Sequence, residues 1–388
     1  MEEPRLTRRR FVHQTAMGAA ALAAGVSAAG SIPVGNAAGA DTSKILSYNP
    51  DMEYRRCGKT GWMVSAVCLG GHWKRVNKMV PGIFEGDSWL SLNVNDPGFE
   101  KNRYDVVTRC IERGINYIDA CTHKEIQAYS KALQGRRDKM YLGWSWYERE
   151  GHRHDQCNVK NFMQVLDDSL KLCRQEYVDL WRLYAGLGGH RTERGEWIGD
   201  RGQGDSVFFH SKAECEAFAE AADRAKKQGK TRMTGVSCHD LPWLKYMMET
   251  YPGQMDVVIT PYTAKTKALP DDGTGFFAAV KKCDCGLFGI KPFAGTSLFK
   301  GDSSPGNPHE EEDNRLARLA IRYILCHPAM TAPIPGLINP QQVDNVALAV
   351  KERRELDVKE KAELERAMDR AWANLPYHYR WLKDCEYI

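Results

Sequence analysis

No excess of charge of either sign marks this chain. Its 54 lysines and arginines stand against 50 aspartates and glutamates, and a net +4 suggests neither nucleic acid nor a membrane surface as a partner. No long hydrophobic run is present either. Residues 16–30 come nearest, but they are mostly alanine and glycine, which partition weakly into hydrocarbon, so a membrane anchor is the weaker reading of them. The cysteines lack a metal or redox spacing, since Cys283-x-Cys285 is too short to read as one. There are 12 of them, scattered, and Cys68, Cys110, Cys173 and Cys326 fall inside apolar-periodic segments. Buried free thiols are therefore expected rather than a disulfide framework. What is present is ordinary for a soluble globular protein: 43% apolar and 27% charged residues, in a chain long enough for one large domain with a full core.

The first forty residues read as an address. Thr7-Arg8-Arg9-Arg10-Phe11-Val12 resembles the twin-arginine export signal, and Ala38-Gly39-Ala40 offers a small-x-small cleavage site. The mature chain is expected to begin near Asp41 and to work outside the cytoplasmic membrane, in the periplasm or beyond. Removing Arg5, Arg8, Arg9 and Arg10 together with Glu2 and Glu3 takes the net charge from +4 to +2.

From residue 41 to 388 the pattern alternates strand and helix. Short apolar runs at 64–71, 115–119, 140–145, 178–184, 234–238, 257–262, 287–292 and around 332–336 are separated by amphipathic stretches such as 159–173, 213–228 and 316–326. Eight strands alternating with helices imply a single α/β domain, a parallel (β/α)8 TIM barrel. Glu310-Glu311-Glu312-Asp313 suits the positive end of a helix that starts there. Two connections, 71–104 and 185–211, are long for a compact barrel and leave the strand ends where barrel enzymes build their sites. The second carries Trp197, Phe208 and Phe209.

Several segments together resemble the aldo/keto reductase family over nearly all of residues 52–350. Residues 52–61 are similar to its opening hairpin, 64–71 to its first barrel strand and Gly114-Ile115-Asn116-Tyr117-Ile118-Asp119-Ala120 to its second. Gly229-Lys230-Thr231-Arg232 through Gly235-Val236-Ser237 matches its sixth, and Ile334-Pro335-Gly336 with Asn339-Pro340-Gln341-Gln342-Val343 resembles its cofactor phosphate turn. The resemblance implies hydride transfer between a nicotinamide, NADP or NAD, and a carbonyl. In the family a tyrosine gives the proton, a lysine lowers its pKa, an aspartate pairs with the lysine and a histidine orients the substrate.

Carried over by position, the aspartate is Asp119, but the other three are replaced. No tyrosine stands in Cys121-Thr122-His123-Lys124-Glu125, and Tyr129 belongs to the following helix. The lysine position is Ser145 and the histidine position is Tyr184. Around the cofactor, the family's Ser-Asn pair is Ser237-Cys238, its glutamine is Ile259 and its phosphate-turn hydroxyl is Ile338. Ser237, Lys291, Gly336, Asn339, Gln342 and Asn345 remain as candidate cofactor contacts, and no cofactor at all is the alternative.

The replacements are chemically able. Asp119, His123, Lys124, Ser145 and Tyr184 are the candidate catalytic groups, with His123 as acid or base and Lys124 either replacing the lost acid or pairing with Asp119. His72, Trp73, Trp144, Trp146, Arg182, His239 and Tyr262 are the expected substrate lining; Arg182 shares the interior face with Tyr184 by strand alternation. Two sets offer metal donors, His152-x-His154-x-x-Cys157 and Asp119-x-Cys121-x-His123, though residues two apart converge on one ion only in a strand or loop; no metal is the favoured expectation. Three readings stand: a reductase with a re-sited proton donor acting on a sugar or related small carbonyl compound, a cofactor-independent lyase, isomerase or hydrolase on carbohydrate, and a noncatalytic binding protein. The tail His378-Tyr379-Arg380-Trp381-Leu382-Lys383 either covers the mouth or packs on the barrel.

Overall fold

The computed structural model describes residues 41–386, apart from 87, 152, 186–189, 192–196, 199–209 and 269–272. The leader, Phe208 and Phe209 lie outside the described residues, as does the side chain of Trp197. Strands β1 (Tyr54–Arg56) and β2 (Met63–Ser65) form an antiparallel hairpin. The barrel strands are β3 (Leu69–Gly70), β4 (Tyr117–Ala120), β5 (Tyr141–Trp144), β6 (Val178–Tyr184), β9 (Thr231–Ser237), β10 (Val257–Pro261), β11 (Gly286–Ile290) and β12 (Ala332–Ile334). A small ladder, β7 (His190–Arg191) with β8 (Trp197–Ile198), sits in the connection after β6. The eight barrel strands are parallel neighbours in chain order, and the bonds Cys68 N–H to Pro333 O and Gly70 N–H to Pro335 O close the ring.

Two readings of the sequence change here. The run 64–71 divides between hairpin and barrel, because the Ser65 hydroxyl turns to donate to Val67 O and Asn116 Oδ1 accepts the Ser65 N–H. The segment likened to a sixth strand is the fifth of the barrel, since β9 pairs directly with β6.

Helices α1 (Pro97–Glu112), α2 (His123–Ala132), α3 (Val159–Leu172), α4 (Lys212–Lys227), α5 (Leu241–Thr250), α6 (Phe276–Lys282), α7 (Glu310–Leu325), α8 (Pro340–Lys351) and α9 (Val358–Ala373) surround or follow the strands. In α3 the buried Phe162, Val165, Leu166, Ser169 and Leu170 recur at the three- and four-residue spacing of one helix face, and Asn158 caps its start. Helix α7 begins on its four acidic residues. The barrel interior is a second core, in which Trp62 stacks on Tyr141 at 4.4 Å and Tyr117 on Phe288 at 4.8 Å. These layers fill the hairpin end and leave the opposite end for polar side chains. All twelve cysteines are free thiols, and Cys326 alone is exposed. Among the described residues no helix is long and apolar enough to cross a membrane.

Close strand packing at β9 and β10 depends on one glycine, because a Cβ on Gly235 would lie 2.0 Å from Val257 O. Gly235→Ala is expected to destabilise the fold by about 1–3 kcal/mol, read as a lower urea midpoint; an unchanged midpoint would contradict this packing.

Candidate active site

The floor of the barrel mouth is a buried ion pair. Strand alternation turns Asp119 of β4 and Arg182 of β6 inward, where Arg182 Nε donates to Asp119 Oδ1 at 2.7 Å and Nη2 to Oδ2 at 2.5 Å. Its Nη1 donates to Ser145 Oγ at 2.8 Å, and Tyr117 Oη donates to Asp119 Oδ1 at 3.1 Å. Burial alone would lower the Arg182 pKa, but the Asp119 carboxylate overrides it and holds the guanidinium well above its usual value. Cys121, beside this pair, is pushed up to about 11 by burial.

One wall is built by a helix cap. Thr122 and Glu125 form a reciprocal capping box at the start of α2. The buried Glu125 carboxylate also accepts from Cys121 N–H at 2.6 Å, takes the His72 N–H, and faces His72 Nδ1 at 2.9 Å. Gly71 must lack a side chain here, since a Cβ would fall 2.2 Å from Glu125 Cδ. Burial opposes ionisation of Glu125, yet His72 and the backbone donors outweigh it and keep its pKa low.

The rim is cationic. Lys74, Lys291, His72 and His239 line a cavity of about 340 Å³ together with Asp119, Cys121, Tyr147, Arg182, Tyr184 and Ser237. Burial, then the neighbouring Lys291, lowers Lys74 to about 8. Burial also lowers Lys291, and it takes His239 to about 3 with help from Lys291 and His72. The C-terminal segment closes the other side. Trp381 stacks on His239 at 3.9 Å, and Lys74 Nζ donates to Tyr379 Oη at 2.6 Å. The Tyr379 phenol is pushed up to about 12 by burial. His72, Lys291, Ala294 and Thr296 hold positive φ of 59°, 60°, 49° and 87°, local strain of the kind that concentrates at functional sites.

Of the residues named from sequence, His72, Asp119, Arg182, Tyr184, Ser237, His239, Lys291 and Gly336 line this cavity. Others sit elsewhere. Lys124 does not pair with Asp119 but donates to Leu92 O at 2.6 Å, and His123 faces Glu148 at 3.1 Å on the outer rim beside Trp146. Both open α2 and so follow the helix rather than the strand. Ser145 lies beneath the floor, bound to Arg182. Trp144 alternates away from the interior, Trp73 is buried with its indole N–H on Tyr129 Oη, and Tyr262 packs between Phe277 and His327. Tyr129 belongs to α2 and donates to Gly70 O. The donor set Asp119, Cys121 and His123 is not brought together, because Arg182 holds the first and Glu148 the third. Of the tail named from sequence, His378, Tyr379 and Trp381 line the cavity, so it covers the mouth. Lys74, Glu125 and Tyr147 were not singled out, although Thr122-x-x-Glu125 carries the capping-box signal.

A nicotinamide dinucleotide fits this arrangement at one end. Of the candidate cofactor contacts, Ser237, Lys291 and Gly336 border the cavity. At the phosphate turn the polar groups serve the fold. Asn339 caps α8 by accepting from Gln342 N–H at 2.8 Å, Gln342 Oε1 accepts from Ile338 N–H at 2.9 Å, and Asn345 joins Arg318 to Asn314 O. Asn102 and Arg103 take the carbonyls of Ile338 and Leu337. Ile338 and Ile259 are buried. The polar groups of this turn are thus engaged within the fold.

Residues 93–316, more than half of the chain, match the profile of the aldo/keto reductase family. The fold is similar to a holo aldo-keto reductase from Bacillus halodurans at TM-score 0.54 and 18% identity, covering 81% of this chain and 96% of that one. It is also similar to a Klebsiella pneumoniae aldo-keto reductase in complex with NADPH, at TM-score 0.55 and 16% identity, over 81% of this chain and 94% of the other.

Removing one member of the floor pair strands the other charge, so Asp119→Ala is expected to cost about 3–5 kcal/mol in urea denaturation. Asp119→Ala combined with Arg182→Met should recover most of that loss. A single variant of wild-type stability would contradict the pairing. The site also sets an acid limit. His72, His239 and His327 are all depressed by burial, the last two to about 3 and about 4. The unfolded chain therefore binds more protons as pH drops, and the stability these groups contribute is complete above about 6.5 and is lost toward 3–4. Glu150, raised to about 7 by burial, and Asp240, also raised by burial, pull the other way, but with His210, likewise depressed by burial, four histidines outnumber them. Urea midpoints should fall between pH 6.5 and 5; a rise over that window would overturn the assignment.

Proposed function

Since the chain belongs to the aldo/keto reductase family, we propose that it is an oxidoreductase acting on a sugar or related carbonyl compound, with its proton donor moved to Tyr379. The observation that carries this is the 2.6 Å contact between Lys74 Nζ and Tyr379 Oη, on a cavity whose floor is the Asp119–Arg182 pair. A phenol beside an ammonium is the proton-donating unit that the resemblance assigned to a tyrosine and a lysine. Here it comes from the connection after β3 and from the C-terminal segment. A reduced nicotinamide, when bound, supplies hydride to the carbonyl carbon. Tyr379 keeps its proton at neutral pH and gives it to the carbonyl oxygen, while Lys74 stabilises the phenolate left behind. Lys291 and Lys74 favour a substrate with a negative charge, such as a sugar acid, and Trp381 offers a flat face to a sugar ring.

The motif at residues 7–12 and the site at 38–40 support export by the twin-arginine route to the periplasm. That route carries proteins already folded, and an exported reductase would leave the cytoplasm with its nicotinamide already held. A second reading keeps the same cavity without a cofactor: a lyase, isomerase or hydrolase on carbohydrate, or a binding protein. It is favoured by the phosphate turn, whose polar groups are engaged within the fold.

The deciding experiment titrates the full chain with NADPH and NADH and then assays carbonyl sugars and sugar acids. Micromolar binding with turnover supports the reductase; no binding at about 1 mM favours the second reading. In the reductase, Tyr379→Phe should lower kcat by about 10²–10⁴-fold with nucleotide affinity unchanged. Activity should decline above pH about 8 as Lys74 loses its proton, and Lys74→Met should remove that limb. Full activity in Tyr379→Phe would rule out the donor assigned here.

A further inference from the structure

Away from the cavity, a second cluster of chemically able side chains joins two connections of the barrel rim. Cys157 ends the short turn His154–Gln156 after β5, with its N–H on His154 O. His210 directly precedes Ser211, the N-cap of α4, and Glu214 is the third residue of that helix. Folding brings Cys157 Sγ, His210 Nδ1 and a Glu214 carboxylate oxygen within 4.8 Å of one another. Cys157 Sγ lies 3.7 Å from His210 Nδ1, which is 4.0 Å from Glu214 Oε2. His154 Nδ1 is 2.7 Å from Glu214 Oε1.

The tautomer of His210 makes this more than a polar contact. Its Nε2 lies 2.6 Å from Ala185 O, which can only accept, so Nε2 carries the proton and Nδ1 presents its lone pair to the thiol and the carboxylate. A ring nitrogen donating to a backbone carbonyl while its partner faces sulfur and oxygen is the outer-shell arrangement that orients metal-binding histidines. The ring is also fixed, wedged 5.1 Å from Phe218 and 5.2 Å from Trp243. Cys157 and His210 are buried, whereas His154 is exposed and faces Glu214.

We propose that Cys157, His210, Glu214 and His154 form a structural site for a zinc-like divalent ion. One thiolate and one carboxylate balance its charge, and the S/N/N/O set suits a borderline-soft ion in tetrahedral geometry. With metal–ligand bonds of about 2.0–2.3 Å, neighbouring donors sit roughly 3.3–3.7 Å apart. The Cys157–His210 separation already meets that spacing; a Glu214 oxygen, within 4.8 Å of both, must close in by up to about 1 Å, and His154, now 2.7 Å from Glu214 Oε1, must turn to join. Four protein donors leave no open position, which marks the site as structural rather than catalytic. Its effect is to tie the connection after β5, which carries the cavity residue Tyr147, to the end of the connection after β6. Sequence spacing had grouped His154 and Cys157 with His152, which lies outside the described residues; the fold supplies His210 and Glu214 from α4 and the residues before it.

The test uses the full chain produced without a histidine tag. Metal analysis should find zinc near one equivalent, and cobalt(II) replacing it should give tetrahedral d–d bands with a thiolate-to-cobalt absorption. Cys157→Ser should lose that absorption and weaken zinc binding by more than the 10–100-fold typical of losing an outer partner, while Cys326→Ser leaves both unchanged. If Cys157→Ser does not fold, His154→Ala, exposed and outside the core, should still weaken binding. A wild-type chain that binds neither ion tighter than about 1 mM, or a Cys157→Ser protein with an unaltered cobalt spectrum, overturns the proposal.

Discussion

A guanidinium taken out of water costs several kcal/mol even after relaxation, and only well-placed acceptors make its burial tolerable. Arg182 meets that condition through both oxygens of Asp119, with Ser145 Oγ and Ala120 O on the remaining donors. The surrounding residues follow from this pair. Ser145 is small enough to leave room for the guanidinium beneath the mouth, where a lysine from β5 would bring a second cation into the same space. Tyr117 crosses the interior to donate to Asp119, and Gly143 must lack a side chain because a Cβ there would meet Tyr117 Oη at 2.2 Å.

That fixed pair shapes the electrostatics above it. With the Arg182 charge neutralised by Asp119 and the Glu125 charge shared with His72 and the backbone, the rim is governed by Lys291 and Lys74. Burial, reinforced by Lys291, keeps His239 neutral and lets Lys74 titrate near 8. A buried cationic rim is costly in isolation and becomes favourable when an anion arrives.

The barrel itself is legible in the sequence, because parallel strands buried on both faces read as short apolar runs and their order needs no long-range information. The inward direction of Arg182 is equally legible, since it follows from the two-residue period of a strand. That period also places Trp144 on the outer side, and its aromatic character, which suggested a sugar platform, carries no direction. Beyond a strand end the period no longer applies. His123 and Lys124 take their directions from the capping box that starts α2, so proximity in sequence to Asp119 does not become proximity in space. The contribution of the tail, 305 residues from Lys74, rests on tertiary packing that no local pattern encodes.

The long connection after β3 links the features of the site that depart from the family pattern. It supplies Lys74 to the mouth, and Arg75 and Lys78 fasten it to the connection after β11 through Gly301 O, Ser303 and Asp302. Where it runs into α1, Asn102 and Arg103 bind the carbonyls of the turn after β12, and Met79 Sδ lies 3.5 Å from Asn339 Nδ2. That turn is thus braced from two sides, its carbonyls by Asn102 and Arg103 and its helix start by Asn339 and Gln342. Lys74 at the mouth and the braced turn after β12 are therefore positioned by one segment. A shift of this segment would move Lys74 and the turn together, which loss of either contact alone would not do.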